Sequence, residues 1–126
     1  MKEAPKQSLF ESKFILENEN NQSNFLHGGL RTKNNFKQKN DKLLISIITV
    51  VLNGEKHIKE TIESLLSQKN QNFEYIIIDG GSSDKTIEII KSYEDRIDYW
   101  VSDKDKGLYD AFNKGLTLAN GEIVGI

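Results

Sequence analysis

Cysteine is absent from this 126-residue sequence, and proline occurs only once. Without cysteine the chain forms neither disulfide bonds nor thiolate metal sites. Long apolar runs are also missing, because the most apolar stretch, residues 43–52, is far shorter than the roughly 20 residues needed to cross a bilayer. The N-terminus lacks the apolar run of a signal peptide. We therefore predict a protein with no transmembrane segment and a cytoplasmic location, either free or at the inner face of the membrane.

Positive charge is scarce where the apolar pattern lies. Residues 43–126 hold nine lysine and arginine residues against fourteen acidic residues, a net charge of −5. Residues 1–42 hold eight against five, and they are rich in asparagine. An acidic domain has no positive face to displace phosphate counterions, so the composition argues against nucleic-acid binding. Low hydrophobicity predicts that residues 1–42 form a polar, disordered leader.

The apolar pattern after residue 42 alternates between strand and helix periods. It predicts strands at residues 43–52, 73–79, 97–102 and 122–126, helices at 55–68 and 84–93, and a third helix from about residue 106 to a cap at Gly121. Short connections and right-handed crossovers make this an α/β fold, an open parallel sheet with helices on both faces. Counting from residue 43, the predicted strand order is 3-2-1-4, with the most apolar strand in the centre.

Polar residues follow three successive strands of this predicted sheet. Asn53 comes after the first strand, Asp79 after the second and Asp105 after the third. Ligands bind such sheets outside the carboxyl ends of the strands, so we expect the three residues to line one crevice. Asp79 has two interpretations that spacing does not separate: it recognises a base N–H or a ribose hydroxyl, or it begins an Asx turn.

The triplet Asp103-Lys104-Asp105 spells the D-x-D pattern of a sugar-nucleotide metal site. Because a helix follows at once, we interpret Asp105 as its N-terminal cap and assign no metal ligand. Lys106 is placed to neutralise a diphosphate, although a solvated lysine is the commoner outcome. The chain offers no Ser/His/Asp or Cys/His set, so no catalytic residue is assigned.

The sequence resembles the family 2 glycosyltransferases of the GT-A fold. Four blocks carry the resemblance in order, at residues 45–54, 75–86, 105–115 and 119–123. The resemblance implies an inverting transfer of a sugar from a nucleoside-diphosphate sugar to an acceptor, in polysaccharide or glycoconjugate synthesis. It also implies that the donor nucleotide is held by Val50, Leu52, Asn53 and Asp79, with Asp105 and Lys106 flanking the pocket.

The sequence departs from the family pattern at three places. The family often has tyrosine where Leu52 stands and a second aspartate where Gly80 stands. An intact member is expected to use Mg²⁺ or Mn²⁺, held by a motif that would follow Ile126, and the acceptor half would lie beyond it too. We therefore expect residues 1–126 alone to bind nucleotide weakly and to transfer no sugar. The alternative interpretation is a non-catalytic nucleotide-binding or interaction module.

Overall fold

The computed structural model describes residues 25–37, 44–68, 72–104, 107–121 and 123–125. Its strands are β1 (Leu26–Gly28), β2 (Ile45–Val51), β3 (Phe73–Asp79), β4 (Tyr99–Ser102) and β5 (Ile123–Gly125). Its helices are α1 (Ile58–Leu66), α2 (Thr86–Ser92) and α3 (Leu108–Leu118), with a short 3-10 helix at Leu30–Lys33. Within these described ranges, no helix has the length and apolar character needed to cross a membrane.

The strands form one sheet in the order β1-β4-β3-β2-β5. β2 pairs in parallel with both β3 and β5, and β3 pairs in parallel with β4. The predicted order 3-2-1-4 is therefore confirmed, with the most apolar strand between two neighbours. Side chains at both faces of β2 and β3 meet a helix layer, which is why these strands read as continuous apolar runs.

Helices cover both faces of the sheet, as predicted. Ile62 of α1 and Ile90 of α2 pack with Tyr75 on one face of the sheet. Successive residues of β3 alternate between the two faces, so the next residue, Ile76, lies on the opposite face. On the opposite face, Ala111 and Leu118 of α3 pack against β2 and β3. The layers are therefore helix, sheet, helix, and the strand ends remain as the edges where loops meet.

Residues 25–37 differ from the predicted disordered leader. β1 adds to the edge of β4 in the antiparallel direction, so the sheet is mixed. The 3-10 helix is attached by two backbone bonds, from Leu30 N to Ile97 O and from Arg31 N to Asp98 O, both 2.9 Å long. Residues 1–24 and 38–42, the rest of the predicted leader, lie outside the described residues.

The physical reason for this attachment is a buried charge at the amino end of β3. Glu74 is 1% exposed, and a buried carboxylate requires a partner. Arg31 donates to Glu74 Oε2 at 2.7 Å and to the carbonyl of Leu118 at 2.9 Å. Glu74 Oε1 accepts the Ser46 hydroxyl and the Asn120 N–H. One carboxylate thus joins the leader, two strands and the end of α3.

Gly121 has a different role from the predicted helix cap. α3 ends at Leu118, and the next residue, Ala119, is already extended, with φ −67° and ψ 129°. A Cβ on Gly121 would lie 2.6 Å from the Leu44 carbonyl oxygen and 2.6 Å from Ser46 Oγ. The glycine is therefore required by close approach of the chain to β2, a long-range contact that a helix pattern does not reveal.

Candidate functional site

Three loops meet at the carboxyl edge of the sheet. Val51 and Asp79 are paired in the parallel register of β2 and β3. The Gly80 N–H then donates to the Val51 carbonyl at 2.9 Å, and the Asp103 N–H donates to the Asp79 carbonyl at 3.1 Å. The chain segments that leave β2, β3 and β4 are thereby tied together at the edge where α/β sheets bind ligands.

Asp79 is buried, with 1% of its surface exposed, and its carboxylate accepts four hydrogen bonds. Oδ2 accepts the N–H groups of Gly81 and Ser82 at 3.0 and 2.9 Å and the Ser102 hydroxyl at 2.7 Å. Oδ1 accepts the Ser82 hydroxyl at 2.5 Å. This is the Asx turn that the sequence left as one of two interpretations, and it organises the glycine-rich loop.

Asn53 lies directly beside this loop. Its φ of 49° places it in the left-handed region, which asparagine adopts more readily than most residues. The Asn53 N–H donates to Ser82 Oγ at 2.8 Å, and its side-chain Oδ1 accepts the Ser83 N–H at 2.8 Å. The structure therefore brings Asn53 and Asp79 to the same place, with Ser82 between them.

A second set of bonds joins the two loops where α2 begins. The Thr86 hydroxyl accepts the Gly54 N–H at 2.9 Å and also contacts Asp84 Oδ1. Asp84 further accepts the Thr86 N–H at 2.9 Å and the Glu55 N–H at 3.2 Å. Desolvation raises the pKa of Asp84, and these hydrogen bonds together lower it to below its ordinary value. The Glu55 carboxylate in turn accepts a hydrogen bond from the Lys85 N–H at 3.1 Å.

The other predicted nucleotide-binding residues occupy different environments. Val50 is half-buried and packs against the core on the α3 face of the sheet. Leu52, the next residue but one, is 62% exposed and presents an apolar surface beside Asn53. Asp105 and Lys106 lie outside the described residues, so their predicted places at the crevice stay predictions.

Sequence reasoning missed Ser82, Asp84, Thr86 and Ser102 as members of this edge. The Asp-x-Thr spacing before α2 is a capping signal and could have indicated the first turn of that helix. The bonds from Ser82 and Thr86 across to the loop after β2 had no local signal, because they depend on strand register.

The described residues do not fit a divalent metal. Among them, no group of three or more histidine, cysteine, aspartate or glutamate side chains could hold an ion. Of the two aspartates in the D-x-D triplet, the structure describes only Asp103, whose carboxylate accepts the N–H of Lys104 at 2.9 Å. We therefore derive no chemical step through a metal at this edge.

An open groove of about 600 Å³ lies elsewhere, along α1 and one face of β2. Its lining includes Ile47, Thr49, Leu65 and Tyr75, and burial raises the pKa of Tyr75 above its ordinary value. None of the predicted nucleotide-binding residues lines this groove. The carboxyl edge, rather than this groove, therefore remains the candidate site.

The protein is an α/β domain in which the loops after β2, β3 and β4 are joined by hydrogen bonds at one edge of the sheet. Residues 46–126 match the profile of the Glycosyl transferase family 2. The matched region covers well over half of the chain, so the protein belongs to this family.

Relatives with similar sequences support the assignment. The chain is 35% identical to an uncharacterized glycosyltransferase of Mycobacterium tuberculosis over 81 residues, which are 64% of this chain and 31% of that protein. It is 36% identical over 88 residues to the putative teichuronic acid biosynthesis glycosyltransferase TuaG of Bacillus subtilis, covering 68% and 35%. A dolichyl N-acetyl-α-D-glucosaminyl phosphate 3-β-D-2,3-diacetamido-2,3-dideoxy-β-D-glucuronosyltransferase of Methanococcus voltae is 38% identical over 85 residues, covering 62% and 26%. The chain thus spans about a third of the length of these relatives.

Proposed function

We propose that this chain is the donor-binding part of a glycosyltransferase that takes a sugar from a nucleoside-diphosphate sugar and transfers it, with inversion, to an acceptor in polysaccharide or glycoconjugate synthesis. The observation that carries the proposal is the joined pair of loops at the carboxyl edge, where Asn53 and Asp79 meet through Ser82. Membership of the family supplies the reaction class. The names of the B. subtilis and M. voltae relatives support a polysaccharide or lipid-linked glycan as the class of product.

Each predicted residue then has a chemically distinct part. Leu52, with its exposed side chain, offers an apolar surface for one face of the base. Asn53 presents an amide nitrogen, because its Oδ1 is already used by the loop. Val50 forms the floor through its packing on the core. Asp105 and Lys106 flank the diphosphate, where the lysine supplies the positive charge that the acidic domain otherwise lacks.

Asp79 has a part that differs from direct base recognition. Four donors already surround its carboxylate, and 1% exposure leaves little surface for a ligand. We propose that it acts by holding the loop of residues 80–83 in a shape that receives the nucleotide. For the whole protein we propose that Mg²⁺ or Mn²⁺ assists the reaction. We propose a sugar or a lipid-linked glycan as the acceptor. The proposal includes the cytoplasmic location predicted from the sequence, which fractionation of cells expressing a tagged protein would check.

The test is a titration of the ¹⁵N-labelled chain with UDP and, separately, GDP, CDP and dTDP. We expect weak binding to at least one nucleotide, with backbone amide shifts concentrated at residues 52–55 and 79–86. A single-stranded RNA oligonucleotide is the control and should leave the spectrum unchanged. If no nucleotide at millimolar concentration moves these amides, the donor-binding proposal is wrong. Parallel assays of sugar-nucleotide turnover with Mg²⁺ or Mn²⁺ test the expectation that residues 1–126 alone transfer no sugar.

A further inference from the structure

One hydroxyl group at the carboxyl edge contacts two of the residues predicted to hold the nucleotide, Asn53 and Asp79. Ser82 Oγ lies 2.5 Å from Asp79 Oδ1 and 2.8 Å from the backbone nitrogen of Asn53. The Ser82 N–H also donates to Asp79 Oδ2 at 2.9 Å. Ser82 therefore joins the loop after β2 to the Asp79 carboxylate and to its own loop after β3.

The direction of each bond follows from the groups involved. A backbone N–H only donates, so the Asn53 amide donates to Ser82 Oγ. A carboxylate only accepts, so the single hydroxyl proton of Ser82 points to Asp79. The result is a directed chain from Asn53 through Ser82 to Asp79, in which each bond polarises the next. The negative charge of Asp79 thereby stabilises the position of the Asn53 amide in the neighbouring loop.

This chain has a specific task, because the Asn53 backbone is held in the left-handed region at φ 49°. That conformation is easier for asparagine than for most residues with a side chain, but it is still held more firmly when the surroundings support it. We propose that Ser82 is a positioning residue that couples Asp79 to Asn53 and so sets the spacing of the β2 and β3 loops for a nucleoside diphosphate. This inference rests on the proposed donor-binding function and names a residue that acts through its two neighbours.

Substitutions of two nearby serines distinguish the coupling of Asp79 to Asn53 from the mere presence of a hydrogen-bond donor at Asp79. Ser102 also donates to Asp79, at 2.7 Å, but it does so from β4 and not from the loop that contacts Asn53. Ser83 contacts Asn53 chiefly through its N–H at 2.8 Å, while its hydroxyl lies at the long distance of 3.5 Å. Ser102→Ala therefore removes a donor to Asp79 without breaking the link, and Ser83→Ala removes an exposed hydroxyl while its N–H bond remains.

The experiment compares the wild-type chain with Ser82→Ala, Ser82→Thr, Ser83→Ala and Ser102→Ala. UDP is the first probe, GDP the second, and binding is followed by calorimetry and by amide shifts. We expect Ser82→Ala to weaken binding about tenfold, the loss of one to two net hydrogen bonds, and Ser82→Thr to restore it to within about threefold. Ser83→Ala and Ser102→Ala should each lose less than Ser82→Ala, since neither removes the hydroxyl that joins Asn53 to Asp79.

A spectroscopic signature distinguishes positioning from a general loss of stability. The Asn53 amide proton of the ligand-free protein should move upfield in Ser82→Ala, because its acceptor is gone, and its HN–Hα coupling should report a changed φ. Ser82→Thr should retain both values. Ser82→Cys, which keeps the shape but not a strong donor, serves as the folded alternative if the alanine variant fails to fold, and it should bind as weakly as expected for alanine.

The outcomes separate the inference from the function on which it rests. If the wild type binds none of UDP, GDP, CDP and dTDP, the donor-binding proposal is overturned and the inference with it; otherwise the variants are compared with the nucleotide that the wild type binds. If the wild type binds and the folded Ser82→Ala or Ser82→Cys variant binds equally well, the inference alone is overturned. If Ser102→Ala loses as much as Ser82→Ala, occupation of Asp79 is sufficient and the coupling to Asn53 is refuted.

Discussion

Two buried carboxylates stand at opposite ends of β3, and they are stabilised in different ways. Glu74, at the amino end, and Asp79, at the carboxyl end, are each 1% exposed. Glu74 faces the guanidinium of Arg31 at 2.7 Å, a full opposite charge. Among the described residues, no lysine or arginine forms an ion pair with Asp79, which relies on four dipolar donors. The carboxylate at the amino end is stabilised by an ion pair, whereas the carboxylate at the carboxyl end is stabilised by the hydrogen bonds of a turn.

The origin of the partners differs as well. Those of Glu74 come from 28 to 46 residues away along the chain. Three of the four bonds to Asp79 come from two or three residues away, and one comes from Ser102, 23 residues away. The amino end therefore connects distant segments and stabilises the whole fold. The carboxyl end is built mostly from one local loop.

The largest expected effect is at the amino end. Arg31→Met should lower the free energy of unfolding by about 3–5 kcal/mol, because Glu74 would keep a buried charge without its cation. Chemical denaturation monitored by circular dichroism measures the change. Lys33→Ala is the matched control, since Lys33 lies in the same 3-10 helix and its bond to Asp95 at 3.1 Å is exposed. The control should cost less than about 1 kcal/mol. Equal effects of the two substitutions would contradict the contrast between the two ends.

The sequence was sufficient to predict the four parallel strands of the sheet, but neither β1 nor this ion pair. Strand order followed from apolar runs that are each local, and from the general handedness of βαβ connections. Arg31 belongs to a polar stretch without apolar periodicity, so no pattern marked it as buried. Glu74 is the second residue of the otherwise apolar strand β3, and a single charged side chain near a strand end usually reaches solvent. Their pairing depends on β1 joining β4, which only the assembled sheet reveals.

At the candidate site, the sequence predicted placement better than bonding. Asn53 and Asp79 follow parallel neighbouring strands, so their proximity was predictable from topology alone. The Asx turn at Asp79 was an open alternative because spacing alone does not separate a turn from ligand recognition. Its donor Ser102 belongs to another strand and had no local signal. The coupling through Ser82 depends on the register of β2 against β3, which sequence patterns do not specify to the residue.

The next prediction concerns a bond between the two loops of the carboxyl end. Thr86 is fully buried, and Thr86→Val keeps its shape while leaving the Gly54 N–H without its hydroxyl acceptor. We expect a loss of about 2 kcal/mol of stability, typical of a buried donor left unpaired. Thr61→Val is the control, because Thr61 is exposed and bonds only to the carbonyl of His57 within α1. If both variants have the wild-type denaturation midpoint, the bond between the loops contributes nothing to stability.

A smaller effect, visible only as pH changes, is expected from Asp98 at the amino end. Burial raises the pKa of Asp98 above its ordinary value of 3.8, against lowering by the Tyr75 N–H and by Lys37 and Arg31. The unfolded chain then releases this proton first as pH rises, so stability falls from about pH 3.8 until the folded-state pKa is passed. Asp98→Asn should lack that fall, which is at most about 1.4 kcal/mol per pH unit.

Urea denaturation from pH 4 to pH 7 measures this difference between the wild type and Asp98→Asn. The exposed Asp95→Asn serves as the control and should follow the wild-type profile. Parallel profiles for the wild type and Asp98→Asn would mean that the buried carboxylate does not titrate differently in the two states. The expected divergence would show that charge at the amino end carries a cost that Arg31 and Lys37 only partly offset.

The smallest effect is expected at Asn53, and it tests how replaceable the carboxyl end is. Its φ of 49° suits glycine, whereas alanine in the left-handed region costs roughly 1 kcal/mol or more. Asn53→Gly and Asn53→Ala both lose the side-chain acceptor for the Ser83 N–H, so that loss cancels between them. We therefore expect the glycine variant to be the more stable of the two by about 1 kcal/mol, as measured by denaturation midpoints at equal slope. Equal stability would show that the loop relaxes out of the left-handed conformation when the side chain is removed, and that Ser82 does not hold the Asn53 backbone in place. A difference of the expected size, together with a small change from the wild type in Asn53→Gly, would show that this end of the sheet depends on backbone conformation and local bonds, whereas the opposite end depends on one charge brought from a distant segment.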